Sequence, residues 1–218
     1  MCTRFVSKTD ADLEREWSLV SPPFELNNID VRLTDAIPVV YQRTQGRVCE
    51  AMRWGLVPFW FKDEKWKAAT WNARAETMAE KPSFRGPWRG GRRCLIPAVG
   101  FYEWQAVEGQ KKKQRWFIRL ADRPMAAIAG LWDFNEQHGA SVTMLTVSAN
   151  ELMQRIHNSG ANKHRMPLFV ERDDFDEWLH GERPAAEQLI RTLPAARMEA
   201  WPVPSIVRPE DLIKPKPK

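Results

Sequence analysis

The feature that most constrains the fold is a series of short segments rich in β-branched and aromatic residues. We predict strands over 38–43, 47–54, 94–104, 115–121, 125–132 and 142–149. Turn-forming sequences at 44–46 and 108–110 separate some of them. Because these segments do not alternate regularly with helices, we predict an α+β fold in one domain. Its centre would be a curved, mainly antiparallel β-sheet or open barrel, with short helices around it over 9–20, 73–79, 83–88, 151–156, 172–179 and 185–193.

The chain has 218 residues, of which 43% are hydrophobic, and this is enough for the core of one domain. We expect that domain over 1–212, followed by a basic Lys/Pro tail over 213–218. No apolar run approaches the ~20 residues that cross a bilayer, and the charged start does not resemble a secretory signal. We therefore expect a cytoplasmic monomer without a membrane contact.

The usual cofactor and metal motifs are missing from the sequence. Glycine-rich nucleotide-binding motifs and the G-x-S-x-G nucleophile motif do not occur. The three cysteines, Cys2, Cys49 and Cys94, include no C-x-x-C pair. We expect neither a cofactor nor a metal site.

Cys2 is the most informative candidate for chemistry. Removal of Met1 would leave a cysteine whose α-amine and thiol lie on adjacent carbons. The amine has an ordinary pKa of roughly 7.7–8.0, so part of it is unprotonated at neutral pH. Such a 1,2-aminothiol traps aldehydes, because the amine forms an imine and the thiol then closes a thiazolidine ring. Position alone favours the other interpretation, that Cys2 is an ordinary small residue near a terminus.

Three further groups could take part in chemistry. Asn72 and Arg74 could hold a phosphate or sugar oxygen on one face of an extended segment, or Asn72 could cap a helix. Glu103 lies in an apolar strand, where it would face water at an edge or be desolvated with a raised pKa. Strand alternation predicts Phe101 and Glu103 on one face and Tyr102 and Trp104 on the other. His157 and His164 could titrate near neutrality or be packed surface groups.

The order and spacing of several short motifs resemble the SRAP family, the SOS-response-associated peptidase-like proteins. The matching motifs are MCTRF at 1–5, RWGLVP at 53–58, NARAET at 72–77, RCLIP at 93–97, GFYEW at 100–104, AGLW at 129–132, Thr146, IH at 156–157 and RMP at 165–167. Each motif alone is weak, but together they span almost the whole chain.

The resemblance implies a protein that recognises abasic sites in single-stranded DNA and bonds covalently to them through the mature N-terminal cysteine. It implies that Cys2 is the nucleophile, that Asn72 and Arg74 hold the sugar and flanking phosphate, and that Glu103 handles protons. A histidine would assist opening of the sugar ring and reversal of the adduct. Arg4 would add a phosphate contact, and Thr146 would belong to the DNA-binding surface.

The sequence departs from the family pattern at two places. Thr3 replaces the usual Gly after the nucleophile. The usual His-x-Arg-Met-Pro is interrupted, because 158–164 separates His157 from Arg165. We favour His157 as the catalytic histidine because it keeps the Ile-His pair, and we keep His164 as the alternative.

The net charge of +5 is too small for general coating of nucleic acid but suits a reader of one short strand. A basic segment with interleaved aromatic residues resembles a single-strand groove; it contains Phe84, Arg85, Trp88, Arg89, Arg92 and Arg93. We expect Trp54, Trp60 and Trp71 to wedge against bases, and the lysines at 111–113 to form a solvated hairpin tip.

Two other functions remain open on the sequence. An N-terminal cysteine with its own amine as base is also an amide-cleaving arrangement, so the protein could be an N-terminal-nucleophile hydrolase or a peptidase that removes its own Met1. It could also bind single-stranded or modified DNA without reacting.

Overall fold

The computed structural model describes residues 2–9, 11–22 and 30–204. The strands within them are β1 Arg4–Val6, β2 Asp30–Arg32, β3 Ala36–Arg43, β4 Gly46–Trp54, β5 Asn72–Arg74, β6 Arg93–Ala98, β7 Gly100–Gln105, β8 Gln114–Leu120, β9 Ala126–Asn135, β10 Gly139–Ser148, β11 Arg165–Pro167, β12 Phe169–Val170 and β13 Met198–Pro202. The helices within them are α1 Ala11–Glu16, α2 Pro82–Arg89, α3 Glu151–Ile156, α4 Phe175–His180 and α5 Arg183–Gln188, with 3-10 turns at Arg172–Asp174 and Ala195–Arg197.

Five strands close into a barrel at the centre of the molecule. Their order is β10-β4-β3-β6-β9, and β9 pairs with β10 to complete the ring. The pairings are antiparallel except between β10 and β4, which run parallel. The predicted α+β fold on a mainly antiparallel barrel is therefore confirmed.

A second sheet of five strands places the N-terminus beside the predicted Glu103 strand. Its order is β13-β8-β7-β1-β2. Strand β1 lies antiparallel to β7, with Phe5 opposite Phe101. The second sheet therefore brings residues 2–6 next to 100–105, although about a hundred positions separate them in the chain.

The predicted strand over 94–104 is two strands, because the chain changes sheets at Val99. The amide of Val99 donates to the carbonyl of Val6 at 2.8 Å, so β6 stays in the barrel while β7 enters the second sheet. A Cβ at Gly100 would lie 2.6 Å from the carbonyl oxygen of Ile118, so the crossing permits no side chain there. Sequence reasoning missed this break because both strands are apolar.

The predicted helix over 73–79 is wrong. Asn72–Arg74 forms β5, which runs parallel to β10 with Asn72 opposite Met144, and turns follow it. Its alternating Ala and Arg residues favour a helix locally, but pairing with an established strand outweighs that preference. Helix α3 matches its prediction, and α1, α4 and α5 are shorter than expected.

The alternation predicted for β7 is confirmed. Phe101 packs into the large core that includes the barrel, whereas Tyr102 and Trp104 pack with a smaller cluster around Phe117. Glu103 follows Phe101 on the barrel side.

No helix among the described residues is long and apolar enough to cross a membrane. The predicted tail over 213–218 lies outside the described residues.

Candidate active site

Cys2 is buried where β1 begins. Its side chain is only 2% exposed. Its carbonyl oxygen accepts a 2.8 Å hydrogen bond from Nδ2 of Asn72, and its Sγ lies 3.5 Å from the carbonyl oxygen of Arg4. Burial and, to a smaller extent, the charge of Glu103 raise the pKa of the Cys2 thiol to about 12. The thiol is therefore protonated at neutral pH in this environment.

Glu103 and His157 face each other from separate elements. Glu103 lies in β7 and His157 caps the C-terminal end of α3, and Nε2 of His157 is 3.9 Å from Oε1 of Glu103. Nδ1 of His157 lies 3.1 Å from the carbonyl oxygen of Arg165. The amide of Arg165 also donates to Nδ1 at 3.3 Å. The contacts at Nδ1 therefore suit either neutral tautomer, and Nε2 faces the carboxyl of Glu103 in both.

Burial shifts both groups toward their neutral forms. It raises the pKa of the Glu103 carboxyl and lowers the pKa of His157 to about 4. Lys113 is one of the charges that act on both groups and works against the shift at Glu103. A raised carboxyl pKa is what a group needs to give and take protons near neutral pH.

These side chains line a cleft of about 310 Å³, which we call the reaction cleft. The residues that line it are Thr3, Glu103, Trp104, Lys113, His157, Ser159, Gly160, Ala161 and Asn162. The inserted segment 158–164 therefore forms one wall of the cleft. That segment is tied to the end of β7, since Asn158 exchanges two hydrogen bonds with the backbone of Ala106, at 2.8 and 2.9 Å.

The two candidate histidines have different surroundings. His157 is 5% exposed and lines the reaction cleft. His164 is exposed, has a positive φ of 59°, and is not among the described residues that line the cleft. Its backbone amide donates to the carbonyl of His157 at 2.8 Å, so it closes the inserted loop behind the other histidine.

Asn72 and Arg74 approach the site from β5. Nδ2 of Asn72 holds Cys2, while its Oδ1 is buried with no hydrogen-bond partner among the described residues. Arg74 is exposed and donates from Nη2 to Oδ1 of Asn162 at 2.8 Å. Thr146 lies opposite Arg74 in β10, but it is 1% exposed and donates to the carbonyl of Ala73. The prediction of a DNA contact is therefore wrong for Thr146, which supports β5 instead.

Arg4 is already paired inside the protein. Its guanidinium donates to both carboxylate oxygens of Asp30 and lies over the ring of Tyr102, 5.5 Å from the centroid. The pKa of Asp30 is lowered by these hydrogen bonds and charges in spite of its burial. A phosphate at Arg4 would have to share the guanidinium with Asp30.

The predicted aromatic contacts divide into buried and exposed rings. Trp54 is fully buried, with its ring 5.1 Å from that of Phe5, and Trp88 is 2% exposed. Neither can stack on a base, so these two predictions are wrong. Trp60 is 45% exposed, and Trp71 is half-buried. These two rings are partly accessible from outside.

The predicted arginine groove divides in the same way. Arg85 and Arg89 are exposed on α2. Arg92 instead pairs with the buried carboxylate of Asp133. Arg93 is 4% exposed and donates to the carbonyls of Trp178 and Gly181, which joins β6 to α4 and its end. The groove prediction is wrong for Arg93, which is buried, whereas the side chain of Arg92 is 41% exposed beside Asp133 and its DNA contact stays a prediction.

Several residues of the reaction cleft were not found from the sequence, among them Lys113 and Asn162. Lys113 was expected at a solvated hairpin tip, and although it is exposed beside the bend between β7 and β8, it also lines the cleft. Asn162 in the inserted segment lines the cleft and holds Arg74. The insertion itself was a visible signal, but its position against Glu103 depends on the fold.

The amino-acid sequence is similar to those of known proteins. The sequence is 39% identical to the abasic site processing protein YobE of Bacillus subtilis over 170 residues, 75% of this chain and 74% of that protein. It is 33% identical to the abasic site processing protein HMCES of Gallus gallus over 189 residues, 74% of this chain and 54% of that protein.

Solved structures show the same fold. A crystal structure of a protein from Bordetella bronchiseptica matches with a TM-score of 0.83 and 26% identity, covering 93% of this chain and all (100%) of that one. A protein from Bacteroides thetaiotaomicron matches with a TM-score of 0.81 and 24% identity, covering 94% and 93% of the two chains. The profile of the family described as SOS response associated peptidase (SRAP) matches residues 1–209. The chain therefore belongs to the SRAP family.

Proposed function

We propose that this protein processes abasic sites in single-stranded DNA by forming a thiazolidine crosslink through Cys2, acting as a monomer. The observation that carries the proposal is that β1 pairs with β7, which puts the buried Cys2 beside the strand that holds Glu103, and that Glu103 faces His157 at 3.9 Å. The relatives from Bacillus subtilis and Gallus gallus are named abasic site processing proteins, which supports the same function here.

The chemistry begins with the α-amine that Cys2 carries once Met1 is removed. The open form of an abasic sugar has an aldehyde at C1, and the amine adds to it to form a carbinolamine. Loss of water then gives an imine. The Cys2 sulfur attacks the imine carbon, a C–S bond forms, and the nitrogen gains the proton that the thiol loses. The net result is one thiazolidine and one water.

Glu103 and His157 supply the proton transfers. The thiol has a pKa of about 12, so ring closure needs a base close to Sγ, and the carboxylate form of Glu103 can act as that base. In its protonated form the same group can help the carbinolamine hydroxyl leave as water. Nε2 of His157, 3.9 Å from Glu103, can accept a proton when the sugar ring opens.

Asn72, Arg74 and the exposed side chains around them are proposed to bind the DNA. Nδ2 of Asn72 holds the Cys2 carbonyl, and its buried Oδ1 is free to accept a hydrogen bond from the amine or a sugar hydroxyl. Arg74 can hold a flanking phosphate after exchanging its bond to Asn162. Trp60, Trp71, Arg85 and Arg89 complete the proposed DNA surface.

The test is incubation of the mature protein with a single-stranded oligonucleotide that carries one abasic site. We expect a denaturant-resistant adduct with the wild type, no adduct with an intact oligonucleotide, and no stable adduct with Cys2→Ala. Cys49→Ala is the matched control, because that cysteine is also buried but lies in β4. An adduct that survives denaturation with Cys2→Ala would contradict the thiazolidine proposal.

The peptidase alternative makes a different prediction in the same samples. If the protein removes its own first residue, the wild type should lose Met1 in the absence of cellular aminopeptidases. Cys2→Ala should keep Met1 under the same conditions. N-terminal mass analysis after cell-free synthesis measures this. Loss of Met1 from the wild type alone would support self-processing, and intact Met1 in both chains would exclude it.

A further inference from the structure

A second cleft adjoins the reaction cleft along the β7–β8 hairpin. It has a volume of about 270 Å³, and Trp104 and Lys113 line both clefts. Lys112 and Arg115 line the second cleft on the hairpin. Its far wall is the chain after β13, where the amide of Val203 donates to the carbonyl of Arg115 at 3.0 Å. We call this the hairpin cleft.

The hairpin cleft is positive. Its lining contains three cationic side chains, Lys112, Lys113 and Arg115, and no carboxylate from the described residues. None of the three makes a salt bridge within the described part of the chain. Both lysines are exposed, so their charges are open to an anionic partner.

Arg115 is held in place by aromatic rings. Its guanidinium lies 5.4 Å from the centroid of Tyr102 and 5.9 Å from that of Trp104. Its Nε is buried without a hydrogen-bond partner among the described residues. The hairpin therefore presents a fixed guanidinium, a half-buried indole and two exposed ammonium groups beside the reaction cleft.

This combination matches the chemistry of a single nucleic-acid strand. Phosphates pair with cations that have no internal partner, and bases stack on aromatic rings without regard to sequence. We propose that the hairpin cleft holds the DNA arm on one side of the abasic site, with phosphates at Lys112 and Lys113. The proposal rests on the proposed function, because the shared residues Trp104 and Lys113 connect this arm to the reacting sugar.

The test compares two adjacent lysines. Lys111 and Lys112 are both exposed, but only Lys112 is among the described residues that line the hairpin cleft. The probe is a single-stranded oligonucleotide with a tetrahydrofuran analogue of the abasic site, which has no aldehyde and cannot crosslink. For Lys112→Ala, we expect the slope of log affinity against log salt to fall by about 0.7, the value for one phosphate contact on a single strand. Lys111→Ala should keep the wild-type slope.

A second pair of probes tests the one-arm arrangement. One oligonucleotide carries the analogue near its 5′ end and the other near its 3′ end, so each has a single long arm. The effect of Lys112→Ala should appear with one probe and vanish with the other. Equal slopes for the two lysine variants, or an equal effect on both probes, would overturn the proposal. Failure of the wild type to crosslink an aldehyde-bearing oligonucleotide would instead overturn the proposed function.

Discussion

The reaction cleft and the hairpin cleft share two residues, but their ionisable side chains differ in exposure to solvent. In the reaction cleft, Glu103 and His157 are buried and burial shifts their pKa values. In the hairpin cleft, Lys112 and Lys113 are exposed and without salt bridges to described residues. Burial changes which protonation states are available, whereas exposure leaves a charge free to meet a phosphate.

Because of this difference, we expect the rate of the crosslinking reaction to depend on one cleft and the affinity for DNA to depend on the other. Changes in the reaction cleft should alter rates and their dependence on pH. Changes in the hairpin cleft should alter affinity and its dependence on salt, because exposed cations bind phosphates by displacing counterions. Variants in each cleft test this division of roles.

The largest effect is expected from Glu103→Gln. Because the amide keeps the shape of the side chain but cannot transfer the proton, the rate of adduct formation should fall on the order of 10²-fold. Affinity for the tetrahydrofuran probe and its salt slope should stay unchanged. Single-turnover crosslinking followed by denaturing gel electrophoresis measures the rate.

Glu108→Gln is the matched control for that variant. Glu108 is exposed at the turn between β7 and β8, so its replacement removes a carboxylate from the same hairpin without touching the reaction cleft. A similar loss of rate in Glu108→Gln would show that general charge, not proton transfer, controls the reaction.

The next effect concerns folding stability in acid. His157 has a pKa of about 4 in the folded protein against an ordinary value of 6.5, so the unfolded state binds the extra proton as pH falls through this interval. The free energy of unfolding should therefore decrease between about pH 6.5 and 4, with a contribution on the order of 2 kcal/mol from His157. Urea unfolding across this pH range measures it.

His157→Gln should remove that contribution, whereas His164→Gln should keep most of it, because the charge of His164 lowers the pKa of His157 less than burial does. Glu103 acts in the opposite direction, since its raised folded-state pKa adds stability below its unfolded pKa and loses it as pH rises through the folded value. If the loss of stability in acid disappears in His164→Gln and persists in His157→Gln, the histidine responsible is not His157.

The smallest effect should come from Lys113→Ala, which connects the two clefts. The charge of Lys113 lowers the pKa of Glu103, so its removal should move the Glu103 limb of the pH–rate profile to higher pH. The same variant should lose about 0.7 from the salt slope. Lys112→Ala should change the slope alone. A shifted pH profile in Lys112→Ala would break the division between the clefts.

Local sequence patterns predicted much of the architecture and the residues of the site. The alternation in β7 correctly placed Phe101 and Tyr102 on opposite faces. The same reasoning failed for β5, where helix-favouring residues form a strand because β10 lies beside them. Local preference decides little when a neighbouring strand offers hydrogen bonds and burial.

Basic and aromatic residues were harder to assign. Arg93, Trp54 and Trp88 have the composition of a DNA groove, but they pair or pack inside the protein. Lys113 was expected to be solvated only, and it lines the reaction cleft. A sequence shows how many cations a segment contains, but not which carboxylates or carbonyls from distant segments occupy them.

From the amino-acid sequence alone we could identify the reactive group, a cysteine that can become an N-terminal aminothiol, and the motifs of the SRAP family. The folded structure was needed to show that β1 lies beside β7, that Glu103 faces His157, and that the cations of one hairpin have no salt bridge to the described residues. The physical reason is that pKa shifts and ion pairs depend on burial and on distances of a few ångströms. Residues about a hundred positions apart acquire those distances only when the sheets form.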